Sequence, residues 1–399
     1  MDQDTETNAR TGLFSFYKSS YKVECKTPHC LLVTCRGSLP HVTNDLLSEL
    51  PSLCLELDTC DFLYFNSNSK LKGSQVLKEF GSGIQEYCQL QPHPLYLSFI
   101  SQQELEKVTY SAKRQQLKCY QRGSCITFSE SEYLDLVHTA DCHMAECPCV
   151  TSYDDCSSDS SRTIRDYSEQ STVLQSNFIK QWRFVSSFHF HDRNNVHDSS
   201  HHSSFDHSIA IGVVQGGMDI EQRKQHAKTI SQLTGIGGFY IDALQSRIKL
   251  VEQQRLAHIS ISQLPTSSPR VMNGSTSLEQ VIGLVACGID CFISSYPYTL
   301  SIHGYALDLP HKNNLWNIQY RKDKNPLSLH CSCPVCRQYS RAYLNHLLNV
   351  HEMLAMTLLM VHNTTQYMEF FHQLQRAIET KTFLSFQKQF LANRRVNYS

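Results

Sequence analysis

Between positions 208 and 293 the chain alternates short apolar runs with helical segments, and this rhythm constrains the fold more than any other feature. Residues 209–214 form a continuous apolar run that stops at Gln215-Gly216-Gly217, the pattern of a buried strand closed by a glycine turn. Residues 219–233 have helical composition, and Gly237-Gly238-Phe239-Tyr240-Ile241 is strand-like again. A helical stretch at 246–257 leads to a third strand at Arg270-Val271-Met272, before the Asn273-Gly274 turn. Residues 277–286 are helical, with Ser277 as N-cap and Gly288 just past the end, and residues 289–293 make a fourth strand. Strand–helix units recurring about every 25–35 residues indicate parallel α/β architecture. In a chain of 399 residues they favour an eight-stranded (β/α) barrel, a TIM barrel, over a doubly wound sheet. In the N-terminal third only residues 31–34 and 95–100 read as strands.

Composition sets the class. Apolar residues make up 41%, enough for a substantial core, and no run approaches the ~18–20 apolar residues of a membrane span. The first ten residues are polar and acidic, unlike a secretory signal. The net charge of −1 excludes a coat that binds nucleic acid by charge alone, while leaving room for a local basic patch. Seventeen cysteines, an odd number in a long chain without a secretion signal, indicate reduced thiols or metal ligands and a cytoplasmic setting.

The segment 151–208 is the clearest shift in composition. Ser157, Ser158, Asp159, Ser160 and Ser161 are followed by His189, His191, His197, His201, His202 and His207. Such a stretch is expected to be largely irregular, an insertion in the barrel, with one helix or docked turn over 173–190. Its histidines read as solvated loop residues rather than as a metal site.

The strongest chemical signal is Cys331-x-Cys333-x2-Cys336. Three thiolates within six residues can converge on one zinc ion at Zn–S distances of ~2.3 Å, and Pro334 stiffens the loop between them. Downstream, residues 341–361 read as one long apolar-faced helix. Leu354, Leu358 and His362 fall on a single face at i, i+4 and i+8, so His362 can close a Cys3His site. His330, His346 and His351 compete for that role. A closed site of four protein ligands is structural and would not activate water. The cluster Cys142-x4-Cys147-x-Cys149-x6-Cys156 is better read as core thiols.

The run from Asn325 to Tyr343, with its Cys331, Cys333 and Cys336, and then His362-Asn363, resembles the tRNA-guanine transglycosylase family. These enzymes exchange a guanine in tRNA for a deazaguanine base. Gly212-Val213-Val214-Gln215-Gly216-Gly217, Gly237 to Leu244 and Gly288-Ile289-Asp290-Cys291-Phe292 fall in the family's order. In the N-terminal half the match is best at Thr27 to Leu32 and Gly37 to His41. The resemblance implies a (β/α)8 barrel over 1–320. It also implies a zinc-binding subdomain and C-terminal helices over 321–399, closing the barrel and forming a dimer interface. The implied zinc ligands are Cys331, Cys333, Cys336 and His362.

The departures from the family bear on function. Catalytic members carry D-x-F-D followed by P-T-R, and the second Asp attacks the ribose anomeric carbon. Ile293 matches that Asp, and an aliphatic side chain has no lone pair. Asp290 remains as the first Asp, and Asp290 or Asp308 are the carboxylates to which nucleophilic duty could have moved. The family's S-G-G-F-Q block, with its acid/base Asp, has no counterpart. The base-reading carboxylate of the D-E-C segment matches Cys147, with Cys149 as the family Cys. The P-T-R segment has become Pro297-Tyr298-Thr299, and two pocket glycines are Asp242-Ala243, while Gln215 is retained. No catalytic residue is therefore assigned. The pattern is that of a non-catalytic subunit whose partners are tRNA and the homologous catalytic subunit of a queuine tRNA-ribosyltransferase, with any association with the mitochondrial outer membrane peripheral. An active transglycosylase with a displaced carboxylate, and a zinc-stabilised adaptor without a role in modification, are the rival expectations.

Overall fold

Eight parallel strands close into a barrel in a computed structural model that describes residues 7–18, 21–63, 72–99, 105–121, 124–152, 161–192, 208–242, 248–273 and 277–395. The barrel strands are β1 (His29–Val33), β2 (Cys54–Asp58), β3 (Leu95–Ser98), β4 (Met144–Glu146), β5 (Ile209–Val214), β6 (Ile236–Ile241), β7 (Arg270–Asn273) and β8 (Cys291–Ser294). They neighbour one another in chain order, and β8 pairs with β1 to complete the ring. The barrel expected from the alternation is thus present, and β2 and β4, absent from the sequence reading, complete it. Helices Ile220–Ser231, Leu250–Ile261 and Leu278–Cys287 follow β5, β6 and β7. Their ends are chemically marked. The Asp219 carboxylate accepts from the N–H groups of Glu221 and Gln222, Ser277 accepts from Gln280, and Gly288 takes φ 95° at a C-terminus. Gly212 in β5 lets the covering helix approach, since a Cβ there would lie 2.9 Å from Ile230 Cγ2 and 2.7 Å from Ile236 Cδ1.

In the Ser/His/Asp-rich segment the helix expected over 173–190 is present and starts earlier, running over Ser161–Asp192 as the crossover between β4 and β5. Leu174, Phe178 and Trp182 recur at one face and are buried, which is enough apolar surface to dock it. A polar contact fixes its register. Strand β4 pairs with β5 only as far as Ile211. Beyond that point the Gln175 side chain donates to Val213 O and accepts from Val213 N, both at 2.9 Å, in place of a neighbouring strand. Residues 153–160 and 193–207, with Cys156, His197, His201, His202 and His207, lie outside the described residues, as do the side chains of His189 and His191.

The stretch 341–361 is two helices rather than one, Arg341–Asn349 and Leu354–Glu379, because the chain turns at His351 with φ 57°. The longer helix packs against the barrel. Phe371 lies 6.0 Å from Phe292 and Tyr367 lies 5.4 Å from Tyr296, ring centre to ring centre. Leu358, Leu359, Met360, Tyr367, Phe370 and Phe371 are buried, whereas Met353 is 83% exposed at the helix start. An N-terminal hairpin, Gly12–Lys18 with Tyr21–Thr27, leads directly into β1, and Gln375 from the long helix donates to Lys26 O and Pro28 O. A four-stranded sheet, Leu105–Ser111, Gln116–Gln121, Ser124–Ser129 and Thr151–Ser152, stands beside the barrel. No helix among the described residues is long and apolar enough to cross a membrane.

Candidate metal centre and barrel mouth

Cys331, Cys333, Cys336 and His362 bring one ligand atom each to within 4.8 Å of the others, an arrangement that could hold a metal ion. Cys333 caps the short helix Pro334–Gln338, and its sulfur accepts from Cys336 N at 3.4 Å, so the thiol loop is folded by its own backbone. His362 lies in the helix Leu354–Glu379 and is fully buried. Its Nδ1 stands 3.6 Å from Cys333 Sγ and 3.3 Å from Cys336 Sγ. Two donors on one tetrahedral zinc stand ~3.5–3.8 Å apart, so the donor set and its spacing fit that ion. The opposite nitrogen, Nε2, lies 2.8 Å from Leu307 O, and a proton there leaves the Nδ1 lone pair for a metal. Burial depresses the imidazole, but the thiols of Cys331 and Cys333 outweigh it and raise its pKa to about 9. A proton thus partners the thiolates when no cation is bound. The rival histidines His330, His346 and His351 are exposed and outside the group.

The C-terminal ends of the barrel strands carry a second, unexpected constellation. Glu56, Asp58, Glu146 and Asp242 are all buried. Asp58 on β2 and Asp242 just after β6 both act electrostatically on Glu146 of β4, two strands away on either side, which places all three carboxylates inside the barrel. Tyr96 Oη donates to Glu146 Oε1 at 2.6 Å and Phe99 N donates to Oε2 at 3.0 Å. Burial raises the Glu146 pKa to about 7, these two hydrogen bonds oppose the rise, and Asp58 and Asp242 add to it. Burial and the Asp58 charge also push Glu56 well above the usual carboxylate range, although Ser98 Oγ donates to its Oε1. Glu56 Oε2 is buried without a hydrogen-bond partner. The sequence analysis missed these residues. The available signal was Glu56 and Asp58 at i and i+2, two acids on one face of an otherwise apolar strand.

Ile293 sits on β8, 2% exposed, with Leu31 of β1 and Asn273 of β7 as its register partners. Asp290 is at the other end of the barrel. Both of its oxygens are taken by Arg10, at 2.8 and 2.6 Å, and Oδ2 also accepts from Arg270 N at 2.8 Å. Asp308 lies in the hairpin Tyr305–Asp308 with His311–Asn314, 3.5 Å from Arg341 Nη2. Neither carboxylate shares the mouth with Ile293. Gln215 is buried after β5 and donates to Val150 O at 3.0 Å. Cys142, Cys147 and Cys149 are buried core thiols and belong to no metal-competent group among the described residues. Arg341 is engaged by Asp323, Asp308 and Leu327 O, whereas Arg321, Lys322, Lys324 and Arg337 are exposed.

The family profile described as queuine tRNA-ribosyltransferase matches residues 4–396. The chain belongs to the queuine tRNA-ribosyltransferase family. Over 182 residues it is 34% identical to the queuine tRNA-ribosyltransferase of Lachnoclostridium phytofermentans, covering 46% of this chain and 48% of that protein. The enzyme of the same name from Synechococcus elongatus is 35% identical over 174 residues, 44% of this chain and 45% of its own. The chain spans about half the length of these curated relatives. Similarity to queuine tRNA-ribosyltransferase accessory subunit 2 of Pongo abelii is lower in identity and far longer, 23% over 395 residues, 88% of this chain and 89% of that protein.

Proposed function

We propose that this chain is the non-catalytic subunit of a heterodimeric queuine tRNA-ribosyltransferase, whose catalytic partner exchanges guanine for queuine at the wobble position of tRNAs with GUN anticodons. The observation that carries this reading is Ile293, an aliphatic side chain buried in β8 at the position matched to the family's nucleophile. Glu146 and Glu56 at the barrel mouth are poorly suited to replace it. A nucleophilic carboxylate must be ionised and free to reach a substrate. Both Glu146 oxygens accept hydrogen bonds, and Glu146 and Glu56 hold their protons to higher pH than ordinary carboxylates.

In this reading Cys331, Cys333, Cys336 and His362 hold one structural zinc, and the residue set leaves no open position for water. The ion would fasten the thiol loop to the long helix and so stiffen the block formed by residues 321–399. The exposed Tyr343, Val350, Met353 and Leu354 beside it supply apolar surface for the catalytic subunit. Exposed Lys324 and Arg337 are the side chains that would meet tRNA phosphates in this reading. The expected setting is the cytoplasm, with any attachment to the mitochondrial outer membrane peripheral.

Guanine exchange into tRNA tests the proposal, with this chain alone, a catalytic homologue alone, and the two together. Exchange only when the catalytic homologue is present, with co-purification of the two chains, is the expected result. A covalent adduct between tRNA and this chain alone would instead establish a displaced nucleophile. Failure to bind any catalytic homologue would leave the adaptor reading.

A further inference from the structure

Cys25, Cys54 and Cys291 lie far from the zinc block, at the N-terminal ends of barrel strands or in the hairpin that leads into β1, and Cys25 and Cys54 meet a histidine there. Cys25 belongs to the hairpin strand Tyr21–Thr27, His29 opens β1 and Cys54 opens β2. They are 5%, 6% and 2% exposed. Their ligand atoms all lie within 4.8 Å of one another. Cys25 Sγ and Cys54 Sγ are 3.1 Å apart. His29 Nε2 is buried with no hydrogen-bond partner. A buried imidazole nitrogen without a partner has lost its hydration with nothing in exchange unless something binds it. Two thiols and an imidazole converging in the dark of a core are the donor set of a soft or borderline metal.

We infer that Cys25, His29 and Cys54 form a second zinc site at the base of the barrel. Charge selects the ion. Two thiolates and a neutral imidazole sum to −2, and a divalent cation brings the site to zero, which is what burial demands. A monovalent ion would leave a net charge behind. Cys25, His29 and Cys54 supply three of the four positions of a tetrahedral site, and a neutral ligand such as water completes it without disturbing the charge balance. Cys291, buried at the start of β8 as the register partner of His29, lies outside this group of mutually close ligand atoms. Two thiolates on one zinc stand ~3.8 Å apart, so the ion would spread the sulfur pair by about 0.7 Å. The site would pin the N-terminal hairpin to β1 and β2. It lies at the end of the barrel opposite the mouth, so it is structural and independent of the proposal about tRNA.

The test is zinc stoichiometry of the full-length chain, loaded with zinc and freed of loose metal by gel filtration. The wild type is expected to hold two equivalents. Cys54→Ala and His29→Ala are expected to hold one, Cys333→Ser to hold one, and the Cys54→Ala/Cys333→Ser double variant to hold none. X-ray absorption at the zinc edge of the wild type needs no variant to fold, and one Cys3His site with one Cys2His site predicts five sulfurs for every two imidazole nitrogens. One equivalent in the loaded wild type overturns the inference. So does a wild-type chain two mass units light whose Cys25 and Cys54 are released together by reductant, since that pair would then be a disulfide.

Discussion

The imidazole of His362 reaches the carbonyl of Leu307 over 2.8 Å, and its neighbour Asn363 accepts from the Leu307 N–H at the same distance. Two adjacent residues of one helix thereby satisfy both polar groups of a single hairpin residue, and the hairpin in turn orients the histidine toward the thiols. A ligand held this way is preorganised, so loss of a thiol should cost metal rather than redirect it.

Cys333→Ser is expected to remove one equivalent of bound zinc and to lower the melting temperature of the C-terminal block. Atomic absorption and differential scanning calorimetry read the two effects. Because thiolates bind the ion only when deprotonated, zinc retention should also fall as pH is lowered. Unchanged metal content and melting in the variant would count against the site.

Ile293→Asp is expected to leave the isolated chain without exchange activity, since the family's other acid and arginine positions are also changed. It should also destabilise. The new carboxylate would be buried between Leu31 and Asn273, and an unpaired buried charge costs about 3 kcal/mol or more. Urea unfolding of the variant checks the second effect, and guanine exchange by the isolated variant checks the first.

Glu146→Gln should change how stability varies with pH. Burial raises the wild-type pKa to about 7 in the folded chain, well above the ordinary carboxylate value of the unfolded chain. Between those values the folded state holds a proton that the unfolded state has released. Folding therefore takes up a proton, and the Glu146 contribution improves as pH falls from 8 toward 5. Glutamine does not titrate. The melting temperature of the variant relative to wild type should decline over that interval, and a parallel pair of curves would refute the assignment.

Gln175→Leu should cost about 2–4 kcal/mol, because it strands the N–H and C=O of Val213 in the interior. Gln175→Glu can accept from Val213 N and, when protonated, donate to Val213 O, so it should approach wild type at low pH and lose stability as pH rises and the buried carboxylate ionises. Chemical denaturation of the three proteins, compared at constant m-value, measures the series.

The C-terminal half of the barrel was legible because β5 through β8 are short apolar runs separated by capped helices, signals that each lie within a dozen residues. Residues 331, 333 and 336 announced a metal loop for the same reason. Strand β4 was not legible. It is three residues long, and Met144-Ala145-Glu146 has no period to detect. The first part of the helix Ser161–Asp192, ahead of residue 173, was obscured by polar composition, and its docking depends on Gln175 meeting a strand edge 38 positions away.

Local pattern was thus enough for the barrel and the thiol loop, because periodicity, cap chemistry and residue identity are properties of neighbours along the chain. Packing of the thiol loop on the long C-terminal helix was what singled out His362 among four histidines, and closure of the ring gathered Glu56, Asp58, Glu146 and Asp242 in one mouth and set Cys25, His29 and Cys54 against one another. Those groupings join residues tens to hundreds of positions apart, and only that packing and the curvature and register of eight strands determine which of them meet.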